Sequence, residues 1–285
     1  MRQLSQILND ASLTEEEFRE VRVGVVEPKY VHLAGREVLP VRKISVGRQE
    51  FGYDTLTDVG VVAGTNQVAD VIAKATNFPG MAINKARELL PVLKHGVSFN
   101  IAREDLLGSR DYGEPLNTVM ARRASKLTQN KENETIVMRN LPFGVNGLYY
   151  SVGGTFAGAT WGTVANIPLA ITGAYVQMGD PFEPTDLICH KDQYIELFQR
   201  TTTSDLTEFE KLVKQGITPR LDRDIATGTA ILMQSGADIA ELIVAEELDV
   251  EEDYVLANQS YNFNTFLRSV PAIYEPTAVI SITGI

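Results

Sequence analysis

Apolar positions along the chain change period several times, and each change marks an element. Near the N-terminus, Thr14 and Glu17 form a capping-box pattern, and Leu13 with Phe18 supplies the matching hydrophobic staple. A short helix is expected there, with Glu15, Glu16 and Glu17 at the positive end of its dipole and Pro28 closing the segment. From Arg36 to Gly64 the pattern becomes strand-like. Glu37-Val38-Leu39 and Arg42 to Val46 are followed by Gly47, and Gln49 to Val62 is rich in Phe, Tyr, Thr and Val. A glycine between two β-prone runs predicts a hairpin. Lys94 to Ile101 alternates Val97, Phe99 and Ile101 with polar neighbours and reads as a strand.

Pro115 sits where a helix start tolerates proline, and Leu116, Val119, Met120, Ala124 and Leu127 follow at helical spacing. Ile136 and Val137 rejoin a buried face, so the spacing predicts a helix from Pro115 to about Asn140, roughly 39 Å long at 1.5 Å per residue. Its middle, Gln129 to Glu134, is fully polar, which leaves one side to pack. Leu141 to Tyr150 ends the helix, and Ser151 to Thr163 reads as a glycine-rich loop holding Trp161. Further on, helices are expected from Thr163 to Met178, through Tyr194, Leu197 and Phe198, and from Leu206 to Lys214. Strands are expected at Thr185–Cys189, Gly228–Gln234, Ala240–Glu246, Tyr254–Phe266 and Ala278–Ile282. Long helices with separated strand runs give an α+β class.

Composition narrows the function more than the fold. Of 285 residues, 44% are hydrophobic and 22% charged, which excludes wholesale disorder. The net charge of −11 and pI near 4.9 argue against a dedicated nucleic-acid binder. Met1 to Asp10 has no apolar core of signal-peptide length, and Thr160 to Met178 is too interrupted to span a bilayer. A cytosolic location in the producing cell is the expectation.

Catalytic and metal patterns are weak. His32, His95 and His190 are scattered, and Cys189 beside His190 lies on a strand whose neighbours point to opposite faces. Asp186 and Asp192 share no period with His190 that would build a metal site. The Gly153–Gly162 segment lacks the endings of phosphate-binding loops. Glu246 to Asp253, an acidic run without calcium-loop spacing, reads as a solvated turn between strands. No catalytic, cofactor-binding or metal-binding residue is assigned, and an enzymatic role is not expected.

The hairpin is the segment that asks for an explanation. Arg42, Lys43, Arg48, Glu50, Asp54 and Asp58 lie inside its strand-like runs, leaving little apolar surface to bury within one subunit. Either it is an ordinary exposed hairpin, or it projects and settles against another molecule. On the second reading these six residues form an assembly interface.

Several segments together resemble the major capsid proteins of tailed phages and their cellular relatives, the encapsulins. Ala121 to Tyr150 (ARRASKLTQNKENETIVMRNLPFGVNGLYY) resembles the family's spine helix, followed by a G-[IV]-x-G-L element at Gly144-Val145-Asn146-Gly147-Leu148. Arg139-Asn140-Leu141 stands where the family usually has Asn-Gly. Gly35 to Val41 and Tyr53 to Gly60 are similar to the start of the extended loop, and Ser235 to Asp249 and Pro276 to Ile285 to the late strands.

The resemblance implies the tailed-phage capsid fold. Its parts would be an N-terminal arm (residues 1–34), an extended loop (35–66), a peripheral domain with the spine helix (67–160), and an axial domain with returning peripheral strands (161–285). It implies a structural subunit forming pentamers and hexamers of an icosahedral shell around viral double-stranded DNA, in a virion assembled in host cytoplasm. Scaffold, portal or decoration proteins would be further partners, contact with packaged DNA would be weak and non-specific, and no membrane or cofactor is involved. The alternative is an encapsulin shell around an enzyme cargo, kept open by Leu13 to Val21, which resembles the encapsulin N-terminal helix; a soluble acidic enzyme is a third reading.

Overall fold

The computed structural model describes residues 33–59, 82–103, 116–200, 205–255 and 259–285, and the helix expected around Thr14–Glu17 lies outside them. The described chain opens on one helical turn, α1 (Gly35–Val38), where a strand was expected. Tertiary anchors override local β-propensity here. The backbone N–H of Ala34 donates to Asp222 at 3.0 Å and that of Gly35 to Asn133 at 2.9 Å, while Val38 and Leu39 are buried.

Strand β1 (Val41–Lys43) is followed by a turn at Ser45–Arg48 and by β2 (Glu50–Val59). The two do not pair across Gly47 as the pattern predicted. Strand β2 pairs instead with β3 (Ala82–Pro91), ten residues against ten, from Glu50↔Pro91 to Val59↔Ala82. Next come β4 (Leu93–Ala102) and the long helix α2 (Leu116–Val137), about 33 Å by its 22 residues.

Beyond α2, strands β5 (Arg139–Asn140) and β6 (Val145–Asn146) form a small ladder around a one-turn 3-10 helix at Leu141–Phe143. This ladder gives the G-V-N-G-L element its physical meaning. Gly144 has φ +67°, a left-handed conformation natural to glycine. Gly147 lies against the end of α2, where an added Cβ would stand 2.4 Å from the Ile136 carbonyl oxygen. The N–H groups of Gly147, Leu148 and Tyr149 donate to the carbonyls of Met138, Ile136 and Val137, at 2.8 Å each, so the chain's return satisfies the helix end.

The expected glycine-rich loop contains an edge strand, β7 (Gly154–Ala157), before the fully buried Trp161. Helix α3 (Asn166–Met178), β8 (Asp186–Cys189), α4 (Lys191–Glu196), α5 (Glu208–Lys214), β9 (Thr218–Leu221) and β10 (Thr229–Met233) follow. A full capping box at Thr207 and Glu210 starts α5. The chain ends on β11 (Ala240–Val255), β12 (Ser260–Ile273) and β13 (Val279–Thr283). The acidic run expected as a turn is the continuation of β11, with Glu247, Asp249, Glu251, Glu252 and Asp253 exposed.

The described residues fall into two units. One contains Lys94–Glu132 and Glu247–Leu267. Its apolar cluster is small: Ile101 and Phe263 with Phe99, Met120 and Tyr261, the Phe99 and Phe263 rings stacked at 4.9 Å. Leu127, placed on the buried face of α2 by its spacing, is 54% exposed, while Ala124 and Thr128 are buried. The Thr128 hydroxyl donates to the Ala124 carbonyl at 2.9 Å, which allows it to be buried.

The other unit contains Leu33–Leu93, Asn133–Glu246 and Arg268–Ile285, and is built on a five-stranded sheet in the order β7-β13-β10-β8-β9. Both faces of this sheet are covered, so its strands read as apolar runs. Alternate residues of β10 serve two cores: Ile231 and Met233 join Ile136, Leu148, Leu242 and Val244, whereas Ala230 and Leu232 join Trp161, Ile167, Leu187, Leu197 and Ile280. Strand β1 lies parallel to β11 in this unit, with Val41 opposite Leu242.

A buried polar knot holds the start of the described chain. Asn133 donates to Asp222 at 2.9 Å and Asp224 at 2.8 Å, and accepts from the Gly35 N–H. Asp222 also accepts from Ala34 and from the Asp224 N–H at 2.8 Å. The fully polar middle of α2 was expected to leave only one side to pack, and Glu132 and Asn133 within it are both buried.

Candidate assembly surface

The β2/β3 hairpin is a two-stranded sheet, paired with no other strand among the described residues. An isolated pair of strands is marginal in water, so its order depends on its root and on cross-strand pairs. At the root, Phe51, Leu90 and Val92 pack against a core of Leu93, Val145, Ile243, Val270 and Ala272. The Tyr53 ring meets Tyr274 edge-on at 4.9 Å, and its hydroxyl donates to the Glu88 carboxylate. The Tyr274 hydroxyl donates to Glu241 at 2.7 Å, and Arg42 reaches the same carboxylate at 3.4 Å. Burial, and then the neighbouring carboxylate, holds both phenols above their ordinary range.

Further out, the described side chains of the hairpin are mostly polar. Asp54 takes both nitrogens of the Arg87 fork at 2.8 and 3.3 Å and the Lys85 ammonium at 2.7 Å, all across the strand pair. These hydrogen-bonded cations, Arg87 first, hold the Asp54 carboxyl well below the usual carboxylate range. The sign follows: a depressed value keeps the pairs intact as the pH falls, until it reaches that low value. In an NMR pH titration the Asp54 carboxyl is therefore expected to titrate far below its neighbours. A midpoint near the ordinary value of about 4 would show that the cross-strand pairs do not form.

The six interface residues expected from sequence occupy different places. Asp54 lies mid-hairpin with its two cations, and Glu50 is exposed at the base of β2. Asp58 pairs with Ile83 through the backbone, and its side chain lies outside the described residues. Arg42 and Lys43 are exposed on β1, and Arg48 is exposed in the turn closed by its N–H to the Ser45 carbonyl. Sequence reasoning missed Lys85, Arg87 and Glu88. Their alternation opposite Asp54 and Tyr53 was the available signal, hidden because the partner strand begins more than 20 residues after β2 ends.

No grouping of three or more His, Cys, Asp or Glu side chains that could hold a metal occurs among the described residues. No helix among them is long and apolar enough to cross a membrane. Cys189 is buried, and burial pushes its thiol up, away from nucleophilic use. His190 caps α4, its Nδ1 accepting from the Asp192 N–H at 3.3 Å.

No curated protein sequence matches the chain. Solved structures do. The capsid of Myoviridae phage XM1 superposes with a TM-score of 0.77 at 12% identity, over 96% of this chain and 99% of that one. The virus-like particle from Pyrococcus furiosus matches with a TM-score of 0.63 at 16% identity, over 87% and 91%. The capsid of an empty GTA particle gives 0.66 at 12% identity, over 95% and 98%. The α+β fold is thus that of tailed-phage capsid proteins. A family model, Linocin_M18, described as encapsulating protein for peroxidase, matches residues 7–260. Spanning most of the 285 residues, that match establishes that the chain belongs to the Linocin_M18 family of encapsulating proteins.

Proposed function

We propose that this chain is a major capsid protein, a structural subunit that assembles with copies of itself into an icosahedral shell of pentamers and hexamers around double-stranded DNA. The observation that carries the reading is the β2/β3 hairpin: twenty paired residues whose described side chains beyond the root are polar apart from Ala86, with Leu89 left exposed nearer the root. Such an element gains order from a neighbouring subunit more readily than from its own. The full-length likeness to phage capsids supports the same reading. A net charge of −11 fits a wall that touches packaged DNA weakly and non-specifically. The subunit contributes area and shape to the shell and performs no catalysis.

The family match favours a second reading, a shell around an enzyme cargo. One experiment addresses both. Electron microscopy of the purified chain is expected to find closed shells, and free monomers under every assembly condition would overturn both readings. Particles isolated from the native source then separate them. Nuclease-resistant double-stranded DNA inside carries the capsid reading, and a protein cargo without nucleic acid carries the other.

A further inference from the structure

Helix caps are ordinarily Ser, Thr, Asp or Asn, whose side-chain oxygens accept an amide hydrogen whatever the pH near neutrality. Thr207 at the start of α5 is of this kind. Helix α4 starts instead on His190, whose Nδ1 accepts from the Asp192 N–H at 3.3 Å. A ring nitrogen accepts only while it carries no proton. The same nitrogen lies 3.4 Å from the Asp192 carboxylate and 3.3 Å from the Thr227 hydroxyl. Asp192 therefore offers the ring two partners: its N–H suits the neutral ring, and its carboxylate suits the charged one. The His190 side chain is 24% exposed, so protons reach it from solvent.

We infer that His190 is a pH-sensitive cap: on protonation its Nδ1 releases the Asp192 N–H, takes the Asp192 carboxylate in exchange, and loosens the first turn of α4. Losing the cap outweighs gaining the ion pair, because the Asp192 side chain is 60% exposed and pairs in water contribute little. A positive ring at the start of a helix also opposes its dipole. The consequence reaches past one turn. The Tyr194 N–H donates to the His190 carbonyl at 2.9 Å, and the Tyr194 ring meets Phe198 and Phe209 edge-on at 5.6 and 6.0 Å. Phe198 in turn stacks on Phe209 of α5 at 5.1 Å. Acid thus slackens the joint that holds α4 against α5. The inference is independent of what the chain assembles into.

The other charged groups around this joint do not supply the same effect. Strand β10 sets uncharged Ala230 opposite Cys189, the residue before His190. After β9, the Asp222 N–H donates to the Cys189 carbonyl at 3.0 Å, while the Asp222 and Asp224 carboxylates are taken up by Asn133, and Arg223 pairs with Asp224. Arg220 on β9 is paired with Asp186 and Glu37. On α4 itself, Lys191 is exposed. Burial first, and then the Asp192 charge, holds the Glu196 carboxyl above the usual carboxylate range. The penalty on such a carboxyl is relieved as the pH falls, so Glu196 steadies α4 in acid, with the opposite sign to His190. A comparison that keeps Glu196 in place separates the two.

The test uses the full chain and follows amide hydrogen exchange of the α4 peptide by mass spectrometry, corrected for the intrinsic exchange rate. It compares about pH 8 with about pH 5, either side of the range in which histidines ordinarily change charge. His190→Asn keeps a capping oxygen that does not titrate and leaves Asp192 and Glu196 in place. On acidification the wild type is expected to lose about 5-fold more protection than His190→Asn, the size of a typical cap. His190→Ala, uncapped throughout, is expected to be less protected than wild type at the higher pH and to lack the acid-linked loss. Circular dichroism with thermal melting checks that the variants fold, and size exclusion that all are compared in one assembly state. Equal pH dependence in wild type and His190→Asn would overturn the inference. So would a wild type better protected in acid, since the Asp192 ion pair would then outweigh the cap. The ring nitrogens of the ¹⁵N-labelled wild type give a readout that needs no variant: a proton on Nδ1 of His190 at the higher pH would also overturn it.

Discussion

Replacing residues 55–86 with an Asn-Gly turn is expected to leave a subunit that folds normally and cannot close a shell. The register sets the cut. Asp54 and Arg87 are directly opposite in the β2/β3 ladder, so a two-residue turn joins them as an ordinary tight hairpin and keeps their ion pair. Phe51, Tyr53, Leu90 and Val92, which pin the root to the core, are all retained. Thermal unfolding should therefore shift by no more than the equivalent of about 1 kcal/mol, the scale of exposed-surface changes. Assembly, followed by electron microscopy, should be lost. Normal particles would show that the hairpin is an ordinary exposed one. A cut from Arg42 to Thr57, which the polar pattern alone would suggest, also removes β1, Ile44, Phe51 and Tyr53. It would confuse a folding defect with an assembly defect.

The contrast between those two cuts marks where sequence was legible. Strong local periodicity located α2 within three residues of its ends, and the apolar runs at β8, β10 and β13 were visible because both faces of their sheet are covered. Pairing across distance was not visible. Strand β2 meets β3 after an intervening segment of 22 residues, and no local pattern near Gly47 announces that partner. The acidic stretch after Glu246 was misread because a solvent-facing strand and a turn share the same polarity; pairing, not composition, separates them. Glu37-Val38-Leu39 has strand-like residues, but hydrogen bonds from Ala34 and Gly35 to distant groups wind it into a turn. The polar character of the hairpin was legible, whereas the exposure of one face of α3 was not. Its exposed Leu169 and Val176 look in sequence like further core residues of an apolar helix.

Asn133 shows the same limit on the stability side, and its removal should have a large effect. Its amide bridges Asp222 and Asp224 and receives the Gly35 N–H, all within the unit that holds the larger cores. Asn133→Ala leaves two carboxylates close together without their shared donor, and strands a backbone N–H. Unsatisfied buried groups cost about 1–3 kcal/mol each, so the expected loss is about 3 kcal/mol. At this size that corresponds to a fall of roughly 6–12 °C in Tm. Thr128→Ala, which removes a hydroxyl bonded only within its own helix, is the control and should cost far less. The effect also has a pH signature. Burial holds the Asp222 carboxyl above the usual carboxylate range, against the bonds from Asn133, Asp224 and Ala34 that pull it down. A carboxyl raised on folding destabilises at neutral pH, and the penalty is relieved as the pH falls through its folded value. Without Asn133 that value rises further and the relief begins at higher pH. The stability gap between variant and wild type, measured by denaturant unfolding, should therefore narrow as the pH is lowered from neutrality. A gap that stays constant or widens would mean that Asn133 does not hold Asp222 in its charged form.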